Sequence, residues 1–390
     1  MKKSLLLLIA SLAAVSACVY PYNPEVEVSE EHIPVIEGDI LVGGTSRVRM
    51  SYMQPLGAGH YFFPPPEVSS VWVEDMFGRV YPGKVSQETV SFQEFEVDTR
   101  SAGDGVSFRL HVDMEGNSFV SDWQQVLEPP VIEDIKFAKD TNFVYVNVDM
   151  SAPEGSDGLV GLDFSEAWSF HAPYEADLLF DPETLSIIDL MFHPELRGTY
   201  HRYCYQNFHQ ATAVLVDAST MGNAVRDFTF QTFLRTDERI QEKYFIELSA
   251  RSLSPETYRY MKHLEEASSV GGDLFSPDPG DMPGNLVCET DESIRVLGFV
   301  TASRITKMKK QMDHNLRAEY YVRPPLPELR EIEPENYLMY YRDMQFVPIN
   351  EVSDYSDGGM PRLVIKWGPL RCVDCVAAGG TLEKPEMWED

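Results

Sequence analysis

Apolar and polar residues alternate with a period of two along much of this chain. The clearest run has an apolar residue at every second position: Val106, Phe108, Leu110, Val112 and Met114. Shorter runs of the same kind cover residues 48–52 and 144–150. This period is typical of strands with one face in a core and the other in water. The sequence therefore predicts a mainly β chain, which we interpret as two immunoglobulin/fibronectin-like β-sandwich domains with one inserted helix and a loop-rich C-terminal segment.

Proline and glycine residues indicate where these domains begin and end. Pro129 and Pro130 separate two series of strand-like runs. We expect an N-terminal immunoglobulin-like sandwich over residues 34–128 and a second β-rich domain over residues 131–310. Residues 311–390 combine a proline-rich stretch with a few strand-like runs, and we expect them to form a loop-rich segment that closes on the second domain.

One stretch inside the second domain has the features of a helix rather than a strand. Ser254 is a good N-cap and Pro255 suits the first helical position, so the sequence predicts a helix over residues 254–270. A long loop rich in glycine, proline and aspartate follows, from Gly271 to Asn285. Loops of this length often have a function, and we expect this one to contact a partner. The residues expected to make that contact are Phe275, Asp278, Asp281 and Asn285.

The N-terminus has the pattern of a bacterial lipoprotein signal. Two lysines precede an apolar run from Leu5 to Val15, and the sequence Val-Ser-Ala then leads into Cys18. The run is shorter than the roughly 20 residues that span a bilayer. We therefore expect residues 1–17 to be a cleaved signal peptide, Cys18 to carry the lipid, and residues 18–33 to form a tether. The alternative is an ordinary secretory signal whose Cys18 later pairs in a disulfide.

The residue after this cysteine and the overall charge both bear on location and partners. Val19 stands where enteric bacteria use an aspartate to hold lipoproteins at the inner membrane, which favours the outer membrane. The formal net charge is −30 at pH 7. Nucleic-acid binding needs a basic surface, so this charge argues against a nucleic-acid partner. The acidic excess is typical of a soluble surface, and attraction of cations or of a basic partner is the alternative.

Four cysteines remain after the lipidated one: Cys204, Cys288, Cys372 and Cys375. In an oxidising compartment this even number predicts two disulfides, with three connectivities open. The close pair Cys372 and Cys375 has three interpretations, namely a structural clip, a redox dithiol or half of a zinc site. A structural disulfide is favoured, because neither a zinc-site spacing nor a redox context is visible around the pair.

The sequence contains no common catalytic motif. It has no Gly-x-Ser-x-Gly elbow, no His-Glu-x-x-His helix, no phosphate loop and no dinucleotide fingerprint. We therefore predict no catalytic residue and no cofactor. A hydrolase whose residues come together only in the folded chain remains an alternative.

Two sets of residues could bind a metal. His193, His201 and His209 cluster around Cys204, with tyrosines between them. In a strand, Cys204 points away from its neighbours at 203 and 205, which favours a disulfide partner among ordinary strand aromatics. Two acidic loops, 273–281 and 354–357, offer oxygen ligands for calcium, but neither has the twelve-residue calcium-loop spacing. We predict solvated turns and no metal site.

Several short motifs together resemble a known family. They lie at residues 253–260 (LSPETYRY), 271–275 (GGDLF), 284–288 (GNLVC), 296–299 (VLGF), 372–375 (CVDC) and 379–381 (GGT), followed by Lys384-Pro385 and Trp388. Together with the lipobox, the tether and the first strand at 35–38, they make the chain similar to a Bacteroidota outer-membrane lipoprotein family that carries only a domain-of-unknown-function label. Such proteins are typically encoded beside TonB-dependent receptors.

The resemblance implies a function in nutrient uptake without catalysis. It implies a surface-exposed lipoprotein that acts as an accessory or ligand-capturing partner of a TonB-dependent receptor. Two alternatives stay open, a structural or adhesive envelope protein and a hydrolase with a dispersed site. A neighbouring receptor gene favours the first hypothesis, a run of related lipoprotein genes without one favours the second, and a cleft with paired carboxylates or a Ser/His pair favours the third.

Overall fold

The computed structural model describes residues 32–54, 63–103, 106–210, 212–269, 284–354 and 360–388. Strands account for 49% of the structure and helices for 14%, which confirms the predicted mainly β class. The predicted signal peptide, Cys18 and nearly all of the predicted tether lie outside the described residues. In the part of the chain that is described, no helix has both the length and the apolar character needed to cross a bilayer.

These ranges contain 23 strands and three α-helices. The first strands are β1 (Pro34–Leu41), β2 (Thr45–Tyr52), β3 (Val68–Asp75), β4 (Val80–Glu88), β5 (Phe92–Asp98), β6 (Ser107–Met114), β7 (Asn117–Ser121), β8 (Gln124–Gln125), β9 (Val131–Lys139), β10 (Phe143–Ser151), β11 (Leu159–His171) and β12 (Leu178–Asp181). The later strands are β13 (Ser186–Asp189), β14 (Tyr203–His209), β15 (Val214–Asp217), β16 (Ala224–Leu234), β17 (Tyr244–Ser252), β18 (Leu286–Cys288), β19 (Val300–Ser303), β20 (Thr306–Gln311), β21 (Arg330–Glu331), β22 (Phe346–Asp354) and β23 (Arg362–Pro369). The helices are α1 (Pro255–Ser269), α2 (His314–Tyr320) and α3 (Tyr337–Met344).

The first sheet has ten strands and curls into a nearly closed barrel. Its order is β18-β7-β6-β3-β4-β5-β2-β1-β19, and β8 pairs with β6. The side chains of Phe108, Leu110 and Val112 on β6 point inward and are completely buried, as the period-two pattern predicts. The two end strands, β18 and β19, both come from residues 286–303, which the sequence placed in the second domain.

Asn285 links the two ends of this sheet. Its side-chain amide donates to the Val300 carbonyl at 2.7 Å, and the Val300 N–H donates to its side-chain oxygen at 2.8 Å. These bonds replace a strand pairing between β18 and β19, and the side chain is 3% exposed. The prediction that Asn285 contacts a partner is therefore corrected, because its polar atoms are used inside the fold. Gly284 just before it has no room for a side chain, since a Cβ would lie 2.3 Å from the Gly298 carbonyl oxygen.

A second core lies between two further sheets. One sheet has the order β16-β10-β9, and the other has the order β14-β11-β17-β20 with β15 also paired to β11. Their inward side chains form one apolar cluster that includes Val146, Val148, Leu162, Ile246 and Leu248, all fully buried. This packing fixes β11 and β14, the strands that carry the site described below.

Arg251 joins the two halves of the structure. Its guanidinium lies 2.8 Å from both carboxylate oxygens of Asp39 on β1 and 2.9 Å from Asp163 on β11. Burial opposes the charged form of Arg251, but the two carboxylates outweigh this effect and raise its pKa. The charge is thus held in place between the barrel and the second core.

The predicted helix is present as α1. The Ser254 hydroxyl accepts the N–H of Thr257 at 3.1 Å, which confirms it as the N-cap. Tyr260 on this helix stacks on Phe299 at 4.4 Å between ring centroids, so α1 packs beside the barrel. Helices α2 and α3 were not predicted from the sequence.

The C-terminal residues pack against the second core. Strands β21, β23 and β22 form a small sheet, and the β12–β13 hairpin lies next to it. Phe180, Ile332 and Trp367 bury their side chains between them. Further along, Thr381 forms two backbone hydrogen bonds with Tyr205 on β14, both 2.8 Å long.

A single disulfide, between Cys204 and Cys375, is present among the described cysteines. It fastens the C-terminal residues to β14. The prediction of two disulfides is corrected, because Cys288 and Cys372 are free thiols. The positions of the cysteines explain this pairing. The Cys375 N–H donates to the His201 carbonyl at 2.7 Å, which places Cys375 beside β14. Cys288 packs in the barrel core instead. The interpretation of Cys372 and Cys375 as a clip is therefore wrong, whereas the disulfide role predicted for Cys204 is confirmed.

Candidate functional site

Most of the residues predicted to contact a partner cannot be placed. Phe275, Asp278 and Asp281, together with the acidic loop 273–281, lie outside the described residues, as do residues 355–357 of the second acidic loop. Asn285 is part of the barrel closure.

The predicted histidine cluster is dispersed. His209 Nδ1 lies 2.8 Å from the Ser165 hydroxyl, whereas His193 Nδ1 lies 3.1 Å from Glu195. Cys204 is in the disulfide. Across the described ranges, no three histidine, cysteine or acidic side chains are arranged to hold a metal ion.

The structure instead shows a cavity of about 690 Å³ on the second core, which we call the Trp168 cavity. Its floor is formed by side chains of β11 and β14. One wall is the turn at residues 236–241, the second is the proline-containing stretch 321–327, and the third is the stretch 371–378 near the disulfide. The cavity is thus built from five separate parts of the chain.

The register between β11 and β14 determines which side chains lie together on the floor of the Trp168 cavity. Trp168 pairs directly with Gln206, and the neighbouring pair on the same face is Glu166 with Phe208. Side chains paired in this way lie about 5 Å apart at their Cβ atoms. On the other side of Trp168, Phe170 pairs with Cys204, so the disulfide borders the same row of side chains.

The side-chain oxygen of Gln206 is buried in this floor and has no hydrogen-bond partner among the described residues. The Trp168 indole N–H beside it is also buried, and its hydrogen-bonding interaction with the Glu238 carboxylate lowers the pKa of that group. The Gln206 amide nitrogen makes one long contact, 3.5 Å, to the Gly379 carbonyl. A buried acceptor without a partner costs about 1–3 kcal/mol.

Arg239 occupies one side of the cavity. Its guanidinium carbon lies 5.4 Å from the ring centre of Trp168 and 5.8 Å from that of Phe208, within the range of cation–π interactions. It also lies 3.4 Å from Glu166 and 3.7 Å from Asp237. The cation is therefore held between rings and carboxylates rather than in open solvent.

Glu166 is a completely buried carboxyl group beneath this cavity. It accepts hydrogen bonds from the Tyr244 hydroxyl at 2.5 Å and from the Gln231 amide at 3.0 Å. Burial raises its pKa, and Arg239 offsets only part of that rise. The carboxylate of Glu166 therefore positions Tyr244 through a hydrogen bond and Arg239 through an ion pair. Burial opposes the charged form of this carboxyl group.

Glu238 lies at the edge of the cavity. Partial burial and the neighbouring Asp237 raise its pKa, and the nearby Trp168 indole offsets part of that rise. On the opposite side, His171 Nδ1 lies 2.9 Å from Glu242, and the His171 backbone N–H donates to the Gln241 side chain at 2.8 Å. The cavity therefore combines ring faces with hydrogen-bonding groups, which is the usual make-up of a small-molecule site.

Sequence reasoning missed Trp168, Gln206 and Arg239. Residues around Cys204 were considered as a strand, but only the tyrosine face and Cys204 itself were examined. Nothing in the sequence shows that β11 pairs with β14 in the register that places Trp168 beside Gln206. Arg239 lies in an ordinary turn sequence two residues after Asp237, and no local sequence pattern marks it as a cavity residue.

The comparisons with known proteins identify the family but no activity. The chain belongs to the family described as "Domain of unknown function (DUF4249)", whose model matches residues 19–309. A search of curated proteins finds no match. The match covers the barrel, the second core and the cavity floor, whereas the walls at 321–327 and 371–378 lie beyond it.

Proposed function

We propose that this protein is a surface-exposed outer-membrane lipoprotein that captures a small ligand for a TonB-dependent receptor in nutrient uptake. The observation that carries the ligand-capturing part is the Trp168 cavity, which combines aromatic rings with hydrogen-bonding groups. The protein binds its ligand and passes it on without converting it.

Three further features support this proposal. The lipobox and the acidic tether predict anchoring through Cys18, with the folded part held away from the membrane. A disulfide is typical of an oxidising compartment outside the cytosol. The second β-rich core, which we interpret as a sandwich-like unit, provides a frame for the cavity.

Isolation from the native membrane tests the receptor partnership. The lipidated protein is purified in mild detergent, and bound proteins are identified by mass spectrometry. We expect a TonB-dependent receptor in stoichiometric amount. A Cys18→Ser variant, which cannot be lipidated, is the matched control and should recover much less receptor. Recovery of the wild-type protein alone would overturn the receptor partnership and favour an adhesin or an enzyme.

A further inference from the structure

We propose that a second cavity, between the barrel and α1, binds a zwitterionic amino acid with an apolar side chain. The ammonium group of the ligand contacts Glu37, and its carboxylate contacts Arg47. We call this cavity the Tyr260 cleft, after the α1 residue that lines it. The site goes beyond the proposed function, because it shares no lining residue with the Trp168 cavity.

The cleft forms where α1 lies beside the outer face of the barrel. The stack of Tyr260 on Phe299 holds the helix on one side. Strands β1, β2 and β5 line the other side, and Arg251 and Asp163 line the part next to the second core. The volume is about 420 Å³, which is within the range of small-molecule sites.

Charged side chains of both signs line the barrel side of the cleft. Asp39 pairs across the strands with Arg47, and the neighbouring Glu37 pairs with Arg49. Alternate residues of a strand share a face, so these four side chains lie together on the outer face. Asp39 is engaged with Arg251 at 2.8 Å, and Arg49 forms an ion pair of 3.2 Å with a carboxylate on β5.

Glu37 and Arg47 are the lining charges that are left for a ligand. Both side chains are exposed, and neither forms a hydrogen bond or ion pair with another of the described residues. They are diagonal neighbours on β1 and β2, which places their Cβ atoms about 7 Å apart. Burial and the Glu37 carboxylate together raise the pKa of Tyr260, so Glu37 lies close to the helix side of the cleft.

The helix side of the cleft is largely apolar. Tyr260, Met261 and Leu264 line it, and their spacing puts them on one face of α1. Leu264 is 36% exposed, so an apolar ligand group placed against it removes apolar surface of both partners from water. The cleft therefore offers charges of both signs on one side and an apolar surface on the other.

An amino acid matches this arrangement. Its ammonium group donates to the Glu37 carboxylate, its carboxylate accepts two parallel hydrogen bonds from the Arg47 guanidinium, and its side chain packs on α1. An anion without an ammonium group leaves Glu37 unpaired beside it, and a cation without a carboxylate leaves Arg47 unpaired. A zwitterion pairs with both residues at once.

Ligand-observed NMR by saturation transfer tests this inference on the full mature protein. The probes are leucine and phenylalanine at about pH 6, where α-amino groups are protonated. The N-acetyl derivative and the amide of each amino acid serve as analogues that lack one of the two charges. We expect at least one amino acid to bind with a dissociation constant on the order of 1 mM or tighter. Its two analogues should bind about fivefold more weakly or worse, since each loses one charged contact.

Two variants assign each ligand charge to its partner. Glu37→Gln should weaken binding of the amino acid by about fivefold and should not weaken binding of its N-acetyl analogue, which has no ammonium group. Arg47→Gln should likewise weaken the amino acid and spare the amide analogue. Both residues are exposed, so both variants should fold, and thermal unfolding checks this. Glu88→Gln and Arg330→Gln make the same changes at exposed residues outside the cleft and should bind as the wild type does.

Three results would overturn the inference. They are that neither amino acid binds, that the analogues bind as tightly as the parent amino acid, or that both cleft variants bind as tightly as the two controls. Trp168→Phe should bind amino acids as the wild type does. Loss of binding in Trp168→Phe with full binding in Glu37→Gln would move the ligand to the Trp168 cavity and would also overturn the inference.

Discussion

Loss of the Cys204–Cys375 disulfide should destabilise the second half of the structure. The two cysteines are 171 residues apart in sequence. Closing a loop of that length lowers the entropy of the unfolded chain by an amount worth roughly 5 kcal/mol at 25 °C in the chain-entropy model. Residual structure in the unfolded state reduces this value, so we expect a loss of about 3–5 kcal/mol for Cys204→Ala/Cys375→Ala. The Thr381 and Trp388 contacts with Tyr205 should weaken with it.

Urea unfolding with and without reductant measures this effect. Reductant should lower the midpoint of the wild-type protein and leave that of the double variant unchanged. The matched control is Cys288→Ala/Cys372→Ala, which keeps the disulfide and should keep its sensitivity to reductant. A free-energy change below about 1 kcal/mol, or a reductant effect that disappears in the control, would refute the observed pairing and restore the Cys372–Cys375 clip.

Three other changes should have distinct effects. Arg251→Met leaves the carboxylates of Asp39 and Asp163 without their shared cation, and should lower the free energy of unfolding by about 2–3 kcal/mol, since both acids keep some solvent exposure; an unchanged urea midpoint would contradict this. Asn285→Ala removes two buried hydrogen bonds at the barrel closure and should cost about 2–3 kcal/mol in thermal unfolding, where no shift would show that the barrel needs no such link. Burial raises the pKa of Glu166 from its ordinary value of 4.5, so its contribution to stability is present below that pH and is lost as the pH rises through the folded-state pKa. Glu166→Gln should therefore gain stability relative to the wild type as the pH rises above about 4.5 in urea titrations, and parallel curves would contradict the raised pKa.

Local patterns in the sequence were enough to predict many of the elements. The alternation over residues 106–114 gave β6 and its buried face, and Ser254 with Pro255 gave the start of α1. Both features depend on nearby residues and on the geometry of one element. Helices α2 and α3 are only seven and eight residues long, too short for a periodic pattern to stand out.

Long-range pairing explains what could not be predicted. Strands β18 and β19 join the barrel from residues 286–303, and Cys375 meets Cys204 rather than the nearer Cys372. No local rule gives such partners, because they depend on how distant segments meet. The candidate site was missed for the same reason, since Trp168 and Gln206 gain their relation only from the register of two strands.

Native mass spectrometry of the protein isolated from its own membrane tests ligand capture most directly. The control is Trp123→Phe, which makes the same change at an exposed tryptophan outside the cavity. If the Trp168 cavity captures a ligand, wild type and Trp123→Phe should carry a bound small molecule of the same mass, and Trp168→Phe should carry much less of it. A ligand-free mass for all three proteins, or equal retention by Trp168→Phe, would contradict ligand capture at this cavity.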